Sequence, residues 1–130
     1  MAFRQQTLLV VDGIFAVCRL EPEAPIPPWA TAGEFSSITR TADESSVVCS
    51  QNAVPEGTPC ERGWRCLRVA GTMPFAVVGV LASLTVPLAD AGISVFAVST
   101  FDTDYLLIKD EDLGRAVNRL RQHGHTVHRL

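Results

Sequence analysis

The run Ser99-Thr-Phe-Asp-Thr-Asp104 places three hydroxyls and two carboxylates within six residues. Two chemistries fit that spacing. Asp and Thr side chains cap the backbone of tight turns, so the run can simply close a hairpin. The same groups can also line the rim of a small-ligand site. Asp102 and Asp104 offer oxygen ligands, but no third ligand stands in register, and Asp110-Glu-Asp112 reads as a helix start whose acids face the positive end of the dipole. No metal site is expected. His123, His125 and His128 cluster near the C-terminus. His123 suits a helix end, and the other two are expected in solvent on a terminal strand. The four cysteines, Cys18, Cys49, Cys60 and Cys66, contain no Cys-x-x-Cys pair, so free thiols are expected. Nothing orients a Cys–His pair for nucleophilic attack, and there is no Walker loop, dinucleotide fingerprint or nucleophile elbow. No catalytic residue and no cofactor are expected.

These side chains must be held by elements, and the second half of the chain is the easier half to read. Residues 64–70 alternate as a strand. Residues 75–91 carry Val77, Val78, Leu81, Leu84, Leu88 and Ala91 at nearly helical spacing, with Pro87 expected to kink the helix or loosen its last turn. Within that stretch Gly79 costs about 1 kcal/mol relative to Ala, which calls for a close approach of backbone or ligand. Gly92 is placed to end the helix in a left-handed conformation. Residues 93–99 are apolar on both faces and read as a central strand, joined by a turn at 101–104 to a strand from Tyr105 to Ile108. A second helix buries Leu113, Ala116, Val117 and Leu120 and stops at Gly124, before a last strand at 126–130. The order is β-α-β-β-α-β. Two helices cover one face of such a sheet, so the other face or the edge calls for the N-terminal strands or a second copy of the chain.

The first half is strand-rich. Asp12-Gly13 between Leu8-Leu-Val-Val11 and Ile14-Phe-Ala-Val-Cys18 predicts a two-residue hairpin. Pro22 to Pro28 predicts extended chain, with a short helix carrying Trp29 after it as a hydrophobic plug. Residues 35–41 and 46–50 read as paired strands, and 51–63 as the linker between halves. Domains are therefore expected at 1–62 and 63–130.

Hydrophobic residues make up 47 % of the 130 and charged ones 19 %, a composition that folds. The net charge of −3 lacks the basic footprint of nucleic-acid binding. The longest apolar stretch, 75–89, is too short and too punctuated to span a bilayer. Asp12-Gly13 interrupts the first apolar run after four residues, unlike a signal peptide. A cytoplasmic protein without nucleic-acid or membrane partners is expected.

Residues 71–130, and above all Gly92-Ile-Ser-Val-Phe96 with Ser99-Thr-Phe-Asp-Thr-Asp-Tyr105, resemble an ACT domain. The variant is that of aspartokinase regulatory regions and of cytosolic arginine sensors. Residues 35–48 resemble the end of the preceding ACT-like half. The resemblance implies an α+β fold of two tandem ACT-like, ferredoxin-like units, the first degenerate, with antiparallel sheets and helices on one face. It also implies a non-catalytic regulatory protein that binds a small molecule, most often an amino acid, where ACT units meet. Carried over, the binding residues are Gly79, Ser94, Val95, Thr100, Phe101, Thr103 and Asp104. A zwitterion would then place its carboxylate on the N–H groups at the helix start after Met73-Pro-Phe75, and its ammonium on Asp104 and Thr100. The sensors' acidic residue on helix one is matched here by Val80-Leu-Ala-Ser83, so arginine itself does not carry over. The competing expectation is an interaction or dimerisation module with no small ligand and an unknown protein target.

Overall fold

The structure, a computed structural model, describes residues 5–71 and 79–129. Its elements are β1 (Thr7–Leu20), a 3-10 turn (Pro28–Thr31), β2 (Ser37–Arg40), β3 (Ser45–Ser50), a second 3-10 turn (Gln51–Ala53), β4 (Cys60–Val69), α1 (Val80–Asp90), β5 (Phe96–Ser99), β6 (Asp104–Lys109), a third 3-10 turn (Asp110–Asp112), α2 (Leu113–Gln122) and β7 (Thr126–His128). Two compact units result: Val11–Trp64, and residues 1–10 together with 65–130. Residues 5–10 thus group with the chain from Arg65 onward.

In the C-terminal unit the elements β4, α1, β5, β6, α2 and β7 follow the anticipated β-α-β-β-α-β order. The start of β1 joins this sheet. It pairs in parallel with β7, Thr7 opposite Thr126 and Leu9 opposite His128, and the Ala70 N–H donates to the Thr7 carbonyl at 2.8 Å. Leu8 and Val10 thereby enter one core with Leu67 and Val69 of β4, Leu84 and Leu88 of α1, Leu106 and Ile108 of β6, and Leu113, Val117 and Leu120 of α2. β5 and β6 are antiparallel, Phe96 opposite Leu107 and Ser99 opposite Asp104. β5 ends the strand order among the described residues, next to β6 alone. It is an outer strand of four residues, not the central strand that its apolar composition predicted. Ile93 is buried, but it lies before the strand and packs against the helices' core.

Both helix stops read from glycine are present. Gly92 has φ 74° and Gly124 φ 89°. The Ile93 N–H reaches back to the Leu88 carbonyl and the His125 N–H to the Leu120 carbonyl, the six-to-one bonds of a Schellman end. α1 starts at Val80, with Gly79 as its left-handed N-cap (φ 83°), so Gly79 is not the helix-interior glycine that the sequence spacing implied. The part of the expected helix over 75–78, and the Met73-Pro-Phe75 approach to it, lie outside the described residues.

Pro87 has no N–H, which leaves the Ser83 carbonyl, four residues earlier, without its helix bond. His125 completes it: the imidazole Nε2 lies 2.9 Å from the Ser83 carbonyl. The Gln6 N–H donates to Nδ1 at 3.0 Å, which makes Nε2 the protonated nitrogen. His125 is 5 % exposed, contrary to its expected place in solvent. The helix therefore runs on through Pro87 to Asp90, because a side chain from another element supplies the missing donor.

In the Val11–Trp64 unit, β1 pairs antiparallel with β3 from Phe15–Ser50 to Leu20–Ser45, and β3 with β2 from Val48–Ser37 to Ser45–Arg40. The hairpin expected at Asp12-Gly13 is absent. β1 passes straight through, with Gly13 at φ 103°. A local turn preference of Asp-Gly loses here to long-range pairing of the strand on either side of it. Ala16, Cys18, Ala30, Val47, Cys49 and Val54 make the core, with Trp29 packed against it as the expected plug. Phe15 and Phe35 meet edge to face at 6.1 Å. The proline segment is tied down by Arg40, whose guanidinium donates to the carbonyls of Pro22 and Ala24, and by Ser45, whose hydroxyl donates to the Pro22 carbonyl. Gly33 has φ 102°, and a Cβ there would lie 2.9 Å from the Ser50 Cβ.

Candidate functional site

The Ser99–Asp104 connection between β5 and β6 is a hydrogen-bonded turn. The Thr100 N–H donates to the Thr103 carbonyl at 2.9 Å, and the Thr100 hydroxyl donates to the same carbonyl at 3.0 Å. The Thr103 N–H returns a 3.3 Å bond to the Thr100 hydroxyl. The Ser99 hydroxyl donates to Asp104 Oδ1 at 2.6 Å. Thr103 is 5 % exposed, and its hydroxyl donates to the Val69 carbonyl at 2.7 Å, fastening the turn to β4. Turn chemistry thus accounts for three of the expected binding residues. Asp104 keeps acceptor capacity on its carboxylate beyond the bond from Ser99. Phe101, by contrast, stands 77 % exposed at the tip.

The remaining expected residues lie elsewhere in the same unit. Gly79 caps the start of α1, while Ser94 is exposed and Val95 packs against the core in the segment between Gly92 and β5. The turn gathers four of the seven expected residues, as their adjacency in the chain requires.

Two surface cavities lie in the Val11–Trp64 unit and include none of the seven. The larger, about 580 Å³, is lined by Gln51, Asn52, Glu56, Thr58, Cys60 and Arg62 among others. Its wall is braced by the Gly63 N–H donating to Gln51 Oε1 at 2.7 Å. The smaller, about 290 Å³, includes Cys18, Glu44 and Cys60. Sequence reading took 51–63 for a linker and missed both. The clustered polar residues between Pro55 and Gly63 were the available signal.

All four cysteines are free thiols. Burial, then the neighbouring Cys49 and Cys60 sulfurs, pushes the Cys18 thiol up to about 12. Burial also raises Cys49 and takes Cys66 up to about 12. Thiols so poorly acidic are weak nucleophiles at neutral pH. Among the described residues no group of three or more His, Cys, Asp or Glu is arranged to hold a metal ion, and no helix is long and apolar enough to cross a membrane.

Against known proteins, the ACT domain family model matches residues 60–122, and a second family model, of an N-terminal domain, matches residues 13–57. The human cytosolic arginine sensor for mTORC1 subunit 1 is 27 % identical over 100 residues, which is 68 % of this chain and 30 % of the sensor. The chain therefore spans about a third of the length of that relative. A crystal structure of a protein from Agobacterium tumefaciens matches with a TM-score of 0.93 and 36 % identity over 98 % of this chain and 95 % of the other. The regulatory subunit of aspartate kinase from Thermus thermophilus shares the fold, with a TM-score of 0.62 at 11 % identity, covering 88 % of this chain and 94 % of that one. Residues 60–122, a unit of β-α-β-β-α-β order, therefore match the ACT domain family, with an arginine sensor similar in sequence and an aspartate kinase regulatory subunit similar in fold.

Proposed function

We propose that this protein is a non-catalytic regulatory module that binds an amino acid. The observation that carries the reading is the match of an ACT domain over residues 60–122 to a unit with the β-α-β-β-α-β order, in a chain whose relatives are a regulatory subunit and a sensor. Val11–Trp64 is then a degenerate ACT-like unit, without an α-helix among its described residues.

In this reading the ligand's carboxylate meets backbone N–H groups at the start of α1, where Gly79 in its left-handed conformation admits close approach. Its ammonium meets the Asp104 carboxylate beside Thr100. Thr103 holds the turn in place from beneath, and Ser94 and Val95 form the wall. Phe101 covers the ligand against a second ACT unit. The side chain of α1 facing the ligand offers no acid between Val80 and Ser83, so a neutral amino acid is favoured over arginine.

A thermal-shift series with the twenty amino acids tests this. A ligand that binds only the folded state raises the melting temperature with dose. The expected result is a shift for one or a few amino acids that Asp104→Ala removes. No dose-dependent shift with any of the twenty would sink the reading. The exposed Phe101 beside the outer strand β5 favours a second reading, an interaction module that docks another protein there without a ligand. In that case Phe101→Ser changes the oligomeric state or partner capture and no amino acid shifts the melting temperature.

A further inference from the structure

Three thiols meet on one face of the Val11–Trp64 unit. Cys18 and Cys49 belong to its core, and Cys60 packs against that core while staying partly exposed. Cys49 and Cys60 are both electrostatic neighbours of the Cys18 thiol. Backbone register separates the two pairings. Across β1 and β3, Ala16 opposes Cys49 and Cys18 opposes Val47, so Cys18 and Cys49 are diagonal neighbours. Diagonal positions have Cα atoms about 7–8 Å apart, beyond the span of an unstrained disulfide.

The pairing with Cys60 is different. The Ala70 N–H donates to the Thr7 carbonyl and the Arg19 N–H to the Pro59 carbonyl, so residue numbers rise along β1 as they fall along β4, and the two strands are antiparallel. The second bond sets Arg19 opposite Pro59 at a hydrogen-bonding position, where Pro59 has no N–H to return. Cys18 and Cys60, one step along, are then directly opposed at a pair without hydrogen bonds. Such pairs bring Cα atoms to about 4.5 Å, inside the disulfide range. Access is also unequal. Cys60 lines both surface cavities and Cys18 only the smaller.

We propose that Cys18 and Cys60 form an oxidisable dithiol that closes to an intrachain disulfide when a hydroperoxide reaches Cys60. The Cys60 thiolate attacks the peroxide oxygen and breaks the O–O bond. It becomes a sulfenic acid, and the departing hydroxide or alkoxide takes up the Cys60 proton. The Cys18 sulfur then attacks the Cys60 sulfur. The S–O bond breaks, and the oxygen leaves as water with the Cys18 proton. Two thiols give up two electrons and two protons, and hydrogen peroxide is reduced to two waters. Burial keeps Cys18 protonated, so it acts second, after Cys60 has been oxidised. The disulfide would join β1 to β4 beside both cavities. This proposal does not depend on the amino-acid reading.

The test uses the reduced 130-residue chain, exposed to hydrogen peroxide near neutral pH, alkylated under denaturing conditions and mapped by mass spectrometry. The expected product is a Cys18–Cys60 linked peptide, with Cys49 and Cys66 alkylated, reversed by dithiothreitol. Cys49→Ala retains the link. Cys18→Ser abolishes it and leaves a Cys60 sulfenic acid that dimedone traps. Cys60→Ser, a change at the partly exposed position, abolishes it and leaves Cys18 alkylatable, which keeps the test open should the buried substitution unfold the chain. A link between any other pair overturns the proposal. So does a wild-type chain in which peroxide carries Cys60 to sulfinic acid, or leaves all four thiols alkylatable.

Discussion

One core cluster of the Val11–Trp64 unit is Ala16, Cys18, Ala30, Val47, Cys49 and Val54, with Phe15 and Phe35 also buried in that unit, whereas the core of the C-terminal unit consists mainly of leucines, isoleucines and valines delivered by two helices and the sheet. Small side chains bury little apolar area each, at about 25 cal/mol per Å². That small-residue cluster leans on backbone closeness and on polar ties nearby, such as Gly33 against Ser50 and Arg40 on the Pro22 and Ala24 carbonyls. The helical unit carries a different liability. Each buried helix carbonyl must find a donor, and Pro87 withholds one. The two units should therefore fail in different ways: one when a close approach is blocked, the other when a buried polar partner is removed.

The largest expected effect is in the helical unit. His125→Ala leaves both the Ser83 carbonyl and the Gln6 N–H without their partner. At about 1–3 kcal/mol for each unsatisfied buried group, the loss is roughly 2–6 kcal/mol in urea unfolding. Pro87→Ala restores the helix donor to Ser83. In that background His125→Ala should cost about 1–2 kcal/mol less. Equal costs in both backgrounds would show that His125 does not stand in for the proline's missing N–H.

Both units carry buried thiols with raised pKa values, so both should weaken in alkali. Cys18 and Cys66 release their protons at about 12 when folded, against 9.0 for the ordinary group. The folded state thus holds protons that the unfolded chain releases first. The stabilisation from the buried neutral thiols is complete below about pH 9 and declines as pH rises from there toward 12, by roughly 3 kcal/mol per thiol near pH 11. Cys66→Ala should flatten that decline while lowering stability near neutral pH, as read from melts across pH. An unchanged alkaline slope would remove Cys66 as its source.

The blocked approach comes next. Gly33→Ala places a Cβ 2.9 Å from the Ser50 Cβ at φ 102°. It should cost about 1–3 kcal/mol. Gly57→Ala has a similar φ of 87° but nothing within 4 Å, so the difference between the two variants isolates the steric part. If both cost the same, backbone strain alone explains the loss, and the contact with Ser50 adds nothing to it.

What could be read from the residues divides along the same line. In the helical unit the signals are local: glycine stops at 92 and 124, acids at 110–112, alternation in β4. Each acts within one turn or one strand, and each feature is present. Local evidence failed where partners lie far along the chain. His125 looks like a terminal-strand residue until Gln6 and Ser83 close on it. Asp12-Gly13 looks like a hairpin until β7 and β3 claim the strand on either side of it. Composition misled at β5, where apolar residues suited a central strand although their burial comes from Ile93 and Val95 packing toward the helices. The turn at 99–104 was legible as a turn. Its polar side chains could not be divided in advance between those tied to the protein and those left for a ligand.

That division gives the smallest stability effects and the sharpest test of the turn. Thr103→Val keeps the shape of the side chain but removes the donor to the Val69 carbonyl, a buried bond of 2.7 Å. It should cost about 1–2 kcal/mol. Asp104→Ala loses only the partly exposed bond from Ser99, worth about 0.5–1.5 kcal/mol at most. Under the ligand reading, Asp104→Ala removes the amino-acid thermal shift, because the ammonium has lost its counter-charge. Thr103→Val lowers the melting temperature but keeps most of the shift, because its hydroxyl faces β4 and only positions the turn. Should Thr103→Val abolish the shift while Asp104→Ala preserves it, the ligand contacts assigned to this turn are wrong, and the turn serves only to join β5 to β6.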